Sequence, residues 1–461
     1  MFNLTIDNYR SFIKQELKFS KYNIFIGENS SGKSSLLKFF LMLKQTLEDG
    51  TEILKLSKPY VDLGNYKDII YYNNEKLNLS FSFEFDDSKY KDFYYSYFSG
   101  ALPPNEKLKY IDNFKKQFNS PKGYTKLSFE ISNNFNIEND LKIIISNPNL
   151  GKLKIQTLIK KDDKPILDQK NECYLSYNRV NGKVGMDNFK IGYNKEGFMA
   201  LVNSPELIAE CKNIEPELNI FYEIAWLLLT QNHLQNEIYS FTYVNPIETH
   251  PKRFYYEREP QTERVIFNLD DFMSVLTSSK TDSTSENKFL GILNGVLEDY
   301  GIANKIVINK NNDLRVGEIK IQIKDLLSNI TEVGYGVALQ LPLLFKILLS
   351  QDQSILIEQP EVHLHPSLQA KFIQTLVKYG NAKSYFIETH SEYIIRKLQV
   401  LVKEKFQGLT KEDVSIHYFV RDDKKFSVTE HTIDENGRLK PLFPTGFFDN
   451  SYNITAALLK P

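Results

Sequence analysis

One octet constrains this chain more than any other feature. Gly27-Glu28-Asn29-Ser30-Ser31-Gly32-Lys33-Ser34 matches the phosphate-loop pattern G-x-x-x-x-G-K-[ST] at every position. Glycines let successive backbone N–H groups curl round phosphate oxygens, and a helix that follows presents its positive end to them. The octet therefore predicts an ATP site built from Asn29, Ser30, Ser31, Gly32, Lys33, Ser34 and Ser35. Lys33 supplies a point charge to the phosphates, and the Ser34 hydroxyl suits ligation of Mg²⁺. The flanks agree. Residues 2–9 and 17–27 read as two apolar or alternating strands, and residues 33–48 read as a helix with Leu36, Leu37, Phe40, Leu43 and Leu47 at helical spacing. Strand, loop and helix is the order a phosphate loop requires.

Two later segments carry the chemistry that such a loop needs beside it. Ser354-Ile355-Leu356-Ile357-Glu358-Gln359-Pro360-Glu361 is an apolar strand that ends in a carboxylate, the Walker B pattern. Glu358 stands in the place of the usual aspartate and is the expected second metal residue with Ser34. Residues 384–391 (SYFIETHS) form another short apolar strand followed by Glu388-Thr389-His390-Ser391. A histidine at that strand end can reach a γ-phosphate and sense its loss.

The chain has 461 residues, too many for one ordinary core and enough for two or three domains. From about residue 75 to 240 its character changes. Asn, Lys, Tyr and Phe dominate, residues 77–85 and 142–145 alternate as strands, and residues 205–235 read as helix. Residues 276–287 are polar and read as a mobile loop. The expected organisation is residues 1–75 as one half of an ATPase head, 76–240 as an insertion for dimerisation or partner docking, and 241–461 as the other half with a C-terminal extension.

Composition excludes several classes. With 57 basic and 58 acidic side chains the net charge is −1, so nucleic-acid binding would need a local patch. Cys173 and Cys211 are too far apart in sequence to form a metal pair, which fits a reduced, cytoplasmic protein. The start MFNLTIDNYRSF lacks the features of a signal peptide. The apolar stretches 224–229 and 339–349 fall short of the roughly 18–20 residues of a membrane span. No membrane association is expected, and a transporter reading would require a separate subunit.

The phosphate loop, a long insertion, then VGYGVALQLPLL, IEQPEVHLHPSLQ and THSEYII together resemble bacterial ABC-type ATPases of the overcoming-lysogenization-defect (OLD) class, often filed as AAA family ATPases. The opening NYRSF resembles the start shared by RecF- and SMC-like proteins, and residues 443–449 (FPTGFFD) resemble a C-terminal signature of one branch. The resemblance covers roughly residues 1–70 and 240–461. It implies an α/β P-loop ABC-type head with a large α+β insertion between Walker A and the signature and Walker B half. It also implies ATP and Mg²⁺ as cofactors and at least a homodimer, in which each site receives a signature segment from the opposite subunit. The matching segment is Gly334-Tyr335-Gly336, within residues 333–338. Arg10 sits where relatives contact nucleotide, and residues 243–256 resemble a segment that usually carries an arginine near the position of Glu248.

Three departures bear on catalysis. Ala338 stands where relatives commonly have serine, Gln359 where the general-base glutamate belongs, and His365 where the D-loop has aspartate. A neutral amide can orient water but cannot take its proton, so Glu361 is the candidate substitute base, with Glu358, Gln359 and His390 completing the expected catalytic set. Hydrolysis is expected to be slow or partner-dependent. By resemblance to the ATPases of Septu, PARIS and Gabija, the expected role is a sensor or scaffold subunit in anti-phage defence. The residues after Ser391 show neither an HNH pattern nor a TOPRIM acidic cluster, and Asp422-Asp423 beside Lys424 and Lys425 reads as a turn. The effector, such as a nuclease, would then be a separate protein. The alternative is a RecF/SMC-like repair or recombination ATPase that binds DNA directly. Residues 107–126 interleave lysines with Tyr110, Phe114, Phe118 and Tyr124, which fits either a nucleic-acid stripe or a solvated lysine face over an aromatic core.

Overall fold

The computed structural model describes residues 2–49, 54–86, 124–133, 138–147, 151–160, 171–179, 185–193, 209–211, 213, 219–244, 251–256, 269–270, 283–311, 313, 316–349, 354–380, 382–422 and 425–444. The chain divides into two compact units, one of Met1–Phe19 with Lys38–Tyr239 and one of Ser20–Leu37 with Ser240–Pro461.

The first unit opens with β1 (Phe2–Asp7) and β2 (Gln15–Lys18); β3 (Tyr22–Gly27) belongs to the second unit. Helix α1 (Lys33–Asp49), the short α2 (Tyr66–Ile69), and strands β4 (Leu79–Asp86), β5 (Tyr124–Asn133), β6 (Glu138–Asn147), β7 (Gly151–Lys160), β8 (Asn171–Arg179) and β9 (Gly185–Tyr193) follow. The eight strands outside β3 form one sheet in the order β2-β1-β4-β5-β6-β7-β8-β9. From β4 onward each strand pairs antiparallel with its sequence neighbour, so hairpins of local contacts build most of it. Strand β1 alternates buried and half-buried residues, as a strand with one face on a core does. On that face Phe2 meets Phe83 at 5.4 Å and Phe40 of α1 at 6.4 Å, centroid to centroid. Helix α3 (Asn219–Tyr239) brings the buried Glu223 to the Tyr177 hydroxyl, which donates at 2.7 Å. That bond offsets the cost of burying a carboxylate.

The second unit contains β10 (Phe241–Val244), β11 (Tyr255–Tyr256), α4 (Ser283–Tyr300), β12 (Lys305–Asn311), β13 (Val316–Ile323), β14 (Leu326–Asn329), α5 (Tyr335–Leu349), β15 (Ser354–Glu358), α6 (Pro366–Tyr379), β16 (Ser384–Glu388), α7 (Glu392–Lys403), β17 (Val414–Asp422), β18 (Lys425–Ile433) and β19 (Leu439–Lys440). Its main sheet runs β10-β15-β16-β3-β17-β18-β19. The first five of these strands pair in parallel, and β18 turns back antiparallel to β17. A smaller sheet joins β11, β13 and β12, with β14 on β13. Every residue of β3 is buried, the pattern of a parallel strand covered on both faces. Ile24, Ile355, Ile387 and Ile416 from four adjacent strands share one core with Leu344, Phe372 and Ile395 from three helices. In this sheet Glu358 pairs with Glu388, and Glu388 with Phe25. The ends of β15, β16 and β3 therefore reach one edge together, and such carboxyl edges are where α/β sheets bind ligands.

Two elements differ from the sequence reading. Residues 17–27 are two strands in two sheets. The Ser20 N–H donates to Asn23 Oδ1 at 2.8 Å, and the Asn23 amide returns to Ser20 O at 2.9 Å and reaches Tyr385 O at 3.1 Å. Side-chain bonds of this kind compete with the strand ladder and end it at Lys18. The polar stretch 276–287 is not all loop, since residues 283–287 begin α4. Residues 107–123, Glu248, Asp423 and residues 445–449 lie outside the described residues. Among the described residues no helix is long and apolar enough to cross a membrane.

Candidate functional site

The second unit carries all the candidate site residues except Arg10, which belongs to the first unit. There the Arg10 N–H donates to Ile69 O at 2.6 Å, and its guanidinium lies 5.9 Å from the Tyr9 ring centre.

The phosphate loop links the end of β3 to the start of α1. Glu28, Asn29 and Ser30 are exposed, and Ser30 takes a φ of +58°. Ser31 is buried, and its hydroxyl donates back to Glu28 O at 2.8 Å. Gly32 accepts from Leu36 N at 3.2 Å in the first helical turn, and Ser35 lies half-buried beside it. Lys33 is only 3% exposed. Its ammonium donates to Gly27 O at 3.1 Å and to Glu28 O at 2.6 Å. Burial lowers its pKa, and the carboxylates of Glu388, Glu28 and Glu361 oppose that shift. The Ser34 hydroxyl donates to Glu388 Oε1 at 2.8 Å.

The strand-end acids have different surroundings. Glu358 Oε2 accepts a hydrogen bond from the Tyr243 hydroxyl. Gln359 then turns the chain with a φ of +44°, and its N–H donates to Glu388 O at 2.8 Å. Glu361 is 9% exposed; Oε1 accepts the His390 N–H at 2.6 Å, while Oε2 is buried without a hydrogen-bond partner. Burial raises its pKa against those hydrogen bonds and the Lys33 charge. Glu388 is 2% exposed, and its Oε2 is likewise unpartnered. Burial pushes its pKa up to about 7; the Ser34 bond and Lys33 act against this, and Glu358 and Glu361 act with it. At His390, desolvation and then Lys33 hold the imidazole below its ordinary pKa, and a hydrogen bond to the Gly27 backbone acts the other way. The ring is thus neutral at pH 7, able to donate from one nitrogen and accept at the other.

The signature-like segment has a role within its own chain. Gly334 is exposed and Tyr335 half-buried. Gly336 is buried so closely that a Cβ there would lie 2.6 Å from His363 O. The Tyr335 and His363 rings meet edge-on at 5.2 Å. Ala338 is fully buried in the core, so a hydroxyl at this position would point inward. His365 caps α6, accepting from Ser367 N. Behind these residues the buried Gln340 amide donates to Pro360 O at 2.8 Å and accepts from Tyr300 Oη at 3.1 Å. It thereby ties α5 to the loop between Glu358 and Glu361.

Sequence reasoning missed Tyr243, Gln340 and the Glu388 side chain. A lone Gln in the apolar run VALQLPLL was the visible sign of the second. For Glu388 the sign was its place at the same strand end as Glu358.

The residues fit a magnesium nucleotide. A buried ammonium bonded to carbonyls rather than to a carboxylate leaves its charge available to an anion. Two buried carboxylate oxygens without partners call for a cation. No group of three or more His, Cys, Asp or Glu able to hold a metal occurs among the described residues.

A phosphate loop between a buried parallel strand and a helix, with acids at the ends of neighbouring parallel strands, defines a P-loop NTPase. The AAA ATPase domain family matches residues 1–395, and the chain belongs to that family. Residues 409–458 match a second family, described as a protein of unknown function (DUF3696). No curated protein matches. Similar solved structures include an SmcHead bound to the C-winged helix domain of ScpA, at 9% identity and a TM-score of 0.42, covering 94% of this chain and 98% of that one. An SMC head domain from Thermotoga maritima has 9% identity and a TM-score of 0.35, covering 93% and 97%. An Smc head domain from Pyrococcus furiosus, with an extended coiled coil and bound to the C-terminal domain of ScpA, has 9% identity and a TM-score of 0.35, covering 100% of both chains.

The pKa of Glu388 predicts a pH effect on the protein without metal or nucleotide. Its folded value, about 7, lies above its ordinary 4.5, so between those values the folded state keeps a proton that the unfolded chain has released. Stability must fall as pH rises through that window. At about 1.4 kcal/mol per pH unit the cost approaches about 3 kcal/mol by neutral pH. Glu388→Gln removes this ionisation. The melting temperature of the variant relative to wild type is expected to climb between pH 4.5 and 7.5; a constant offset would show that Glu388 does not titrate in this way.

Proposed function

We propose that this AAA-family chain is the ATP-binding and ATP-hydrolysing sensor or scaffold subunit of a bacterial anti-phage defence system, working as a homodimer with a separate effector such as a nuclease. The ATPase part is supported chiefly by Glu361, whose carboxylate is held by the His390 N–H in the same unit as Lys33. The defence part rests on the resemblance of the IEQPEVHLHP and ETHS segments to OLD-class ATPases. Lys33 and the N–H groups of Ser30–Ser35 hold the phosphates, Ser34 and a strand-end carboxylate hold the metal, and His390 reads the γ-phosphate. Magnesium, when bound, supplies neutralising charge for the phosphate oxygens. Gln359 can orient water, and Glu361 is the carboxylate available to accept its proton. Because Gln359 stands where the general-base glutamate belongs, and a neutral amide cannot take a proton, turnover is slow or partner-dependent and the bound nucleotide acts mainly as a clamp. Gly334, which is exposed, and the half-buried Tyr335 beside it offer the signature segment to a second subunit.

Particle mass measured with and without ATP and Mg²⁺ tests this reading. Wild type is expected to shift from monomer to dimer with both present. Glu361→Gln should keep the dimer for longer, because bound ATP persists. Co-purification of a neighbour-encoded nuclease would support the defence role. ATP-dependent DNA binding by the dimer alone would support a repair or recombination ATPase instead, and a mass unchanged by ATP would defeat the clamp.

A further inference from the structure

Strands β15 and β16 run in parallel register, with Glu358 opposite Glu388, so two carboxylates finish side by side at the edge that carries the phosphate loop. Their hydrogen bonds point to different work. We propose that Glu388, rather than Glu358, is the carboxylate that serves the metal on Ser34, and that Tyr243 holds Glu358 away from that task. The inference rests on the magnesium-nucleotide reading of this site and names its acid.

The strand order is β10-β15-β16-β3. Glu388 therefore stands one strand from the loop-bearing β3 and Glu358 two strands away, at about 4.8 Å per strand. The Ser34 hydroxyl already donates to Glu388 Oε1 at 2.8 Å. The second Glu388 oxygen is buried and has no hydrogen-bond partner, which is costly for an acid unless a cation or another donor completes it. Glu358 is engaged on its far side. Tyr243 lies on β10, the neighbour of β15 opposite β16, and its hydroxyl donates to Glu358 Oε2. Glu388 is therefore the metal-facing acid, and the Tyr243–Glu358 pair forms the wall behind it. To help hold a cation, Ser34 would have to turn its hydroxyl hydrogen away from Glu388 and present a lone pair, since one oxygen cannot direct the same hydrogen at Glu388 and at a cation.

Mn²⁺ binding followed by electron paramagnetic resonance, with ATP present, tests the assignment without using turnover. Glu388→Gln is expected to weaken Mn²⁺ binding by about tenfold or more. Glu358→Gln and Tyr243→Phe should each change it by about threefold or less, as outer groups can. ATP binding by Glu388→Gln in EDTA should stay near wild type, which shows an intact phosphate loop. A larger loss in Glu358→Gln than in Glu388→Gln would overturn the proposal while leaving the nucleotide site standing. Failure of wild type to bind Mn²⁺ with ATP would instead overturn the reading on which it rests.

Discussion

Lys33→Ala is expected to remove measurable ATP binding, weakening it by about a hundredfold or more, as loss of a buried charge-assisted contact does. Lys33 is buried, yet its hydrogen bonds go to two carbonyls of its own loop. Those bonds hold the ammonium in place without neutralising it. The carboxylates of Glu388, Glu28 and Glu361 act on it electrostatically, so in the variant a triphosphate would meet their negative charge without the Lys33 cation to balance it. Isothermal calorimetry with ATP and Mg²⁺ measures the loss. The melting temperature should move little, because removing a desolvated charge relieves a cost as well as breaking two bonds. Wild-type affinity in this variant would mean that the loop does not hold phosphates.

Gly27→Ala should produce the largest stability change. Gly27 ends β3 with a φ of +150° and sits opposite Phe419 in the β3–β17 ladder. A Cβ on it would lie 2.1 Å from Phe419 O. The obstacle is backbone in a central strand, so it cannot rotate away as a side chain can. Either the β3–β17 pairing opens or the phosphate loop shifts. A loss on the order of 3–5 kcal/mol is expected, the range of severe single substitutions. It should appear as an early urea transition of the sheet that holds the nucleotide site. An unchanged midpoint would mean that β17 does not approach β3 as described.

The parts legible in the sequence were those written in local pattern. The loop octet, the SILIE and SYFIE strands and the helix after Lys33 occupy their expected places because apolar runs and a helical period suffice to define them. The break at Ser20 was hidden, since it depends on Asn23 bonding across the turn and to Tyr385. Helical spacing alone did not reveal that Ala338 faces the core or that Gly336 abuts His363; both depend on how α5 packs against a loop that follows it. The different surroundings of Glu358 and Glu388 were equally invisible. Both are acids at strand ends, and only the strand order and the Tyr243 and Ser34 hydroxyls distinguish them.

The position of β3 between β16 and β17 also governs how the protein can be made. The loop-bearing strand leaves the ribosome well before its neighbours, since its anchor at Tyr385 lies 362 residues beyond Asn23. At about 5–20 residues per second this strand, buried along its whole length in the finished fold, waits roughly 20–70 s before a neighbour exists to flank it. A nascent chain halted before β16 thus carries the entire phosphate motif and no pocket. Nucleotide binding can begin only after translation has passed β16, so products halted before that strand cannot compete for ATP.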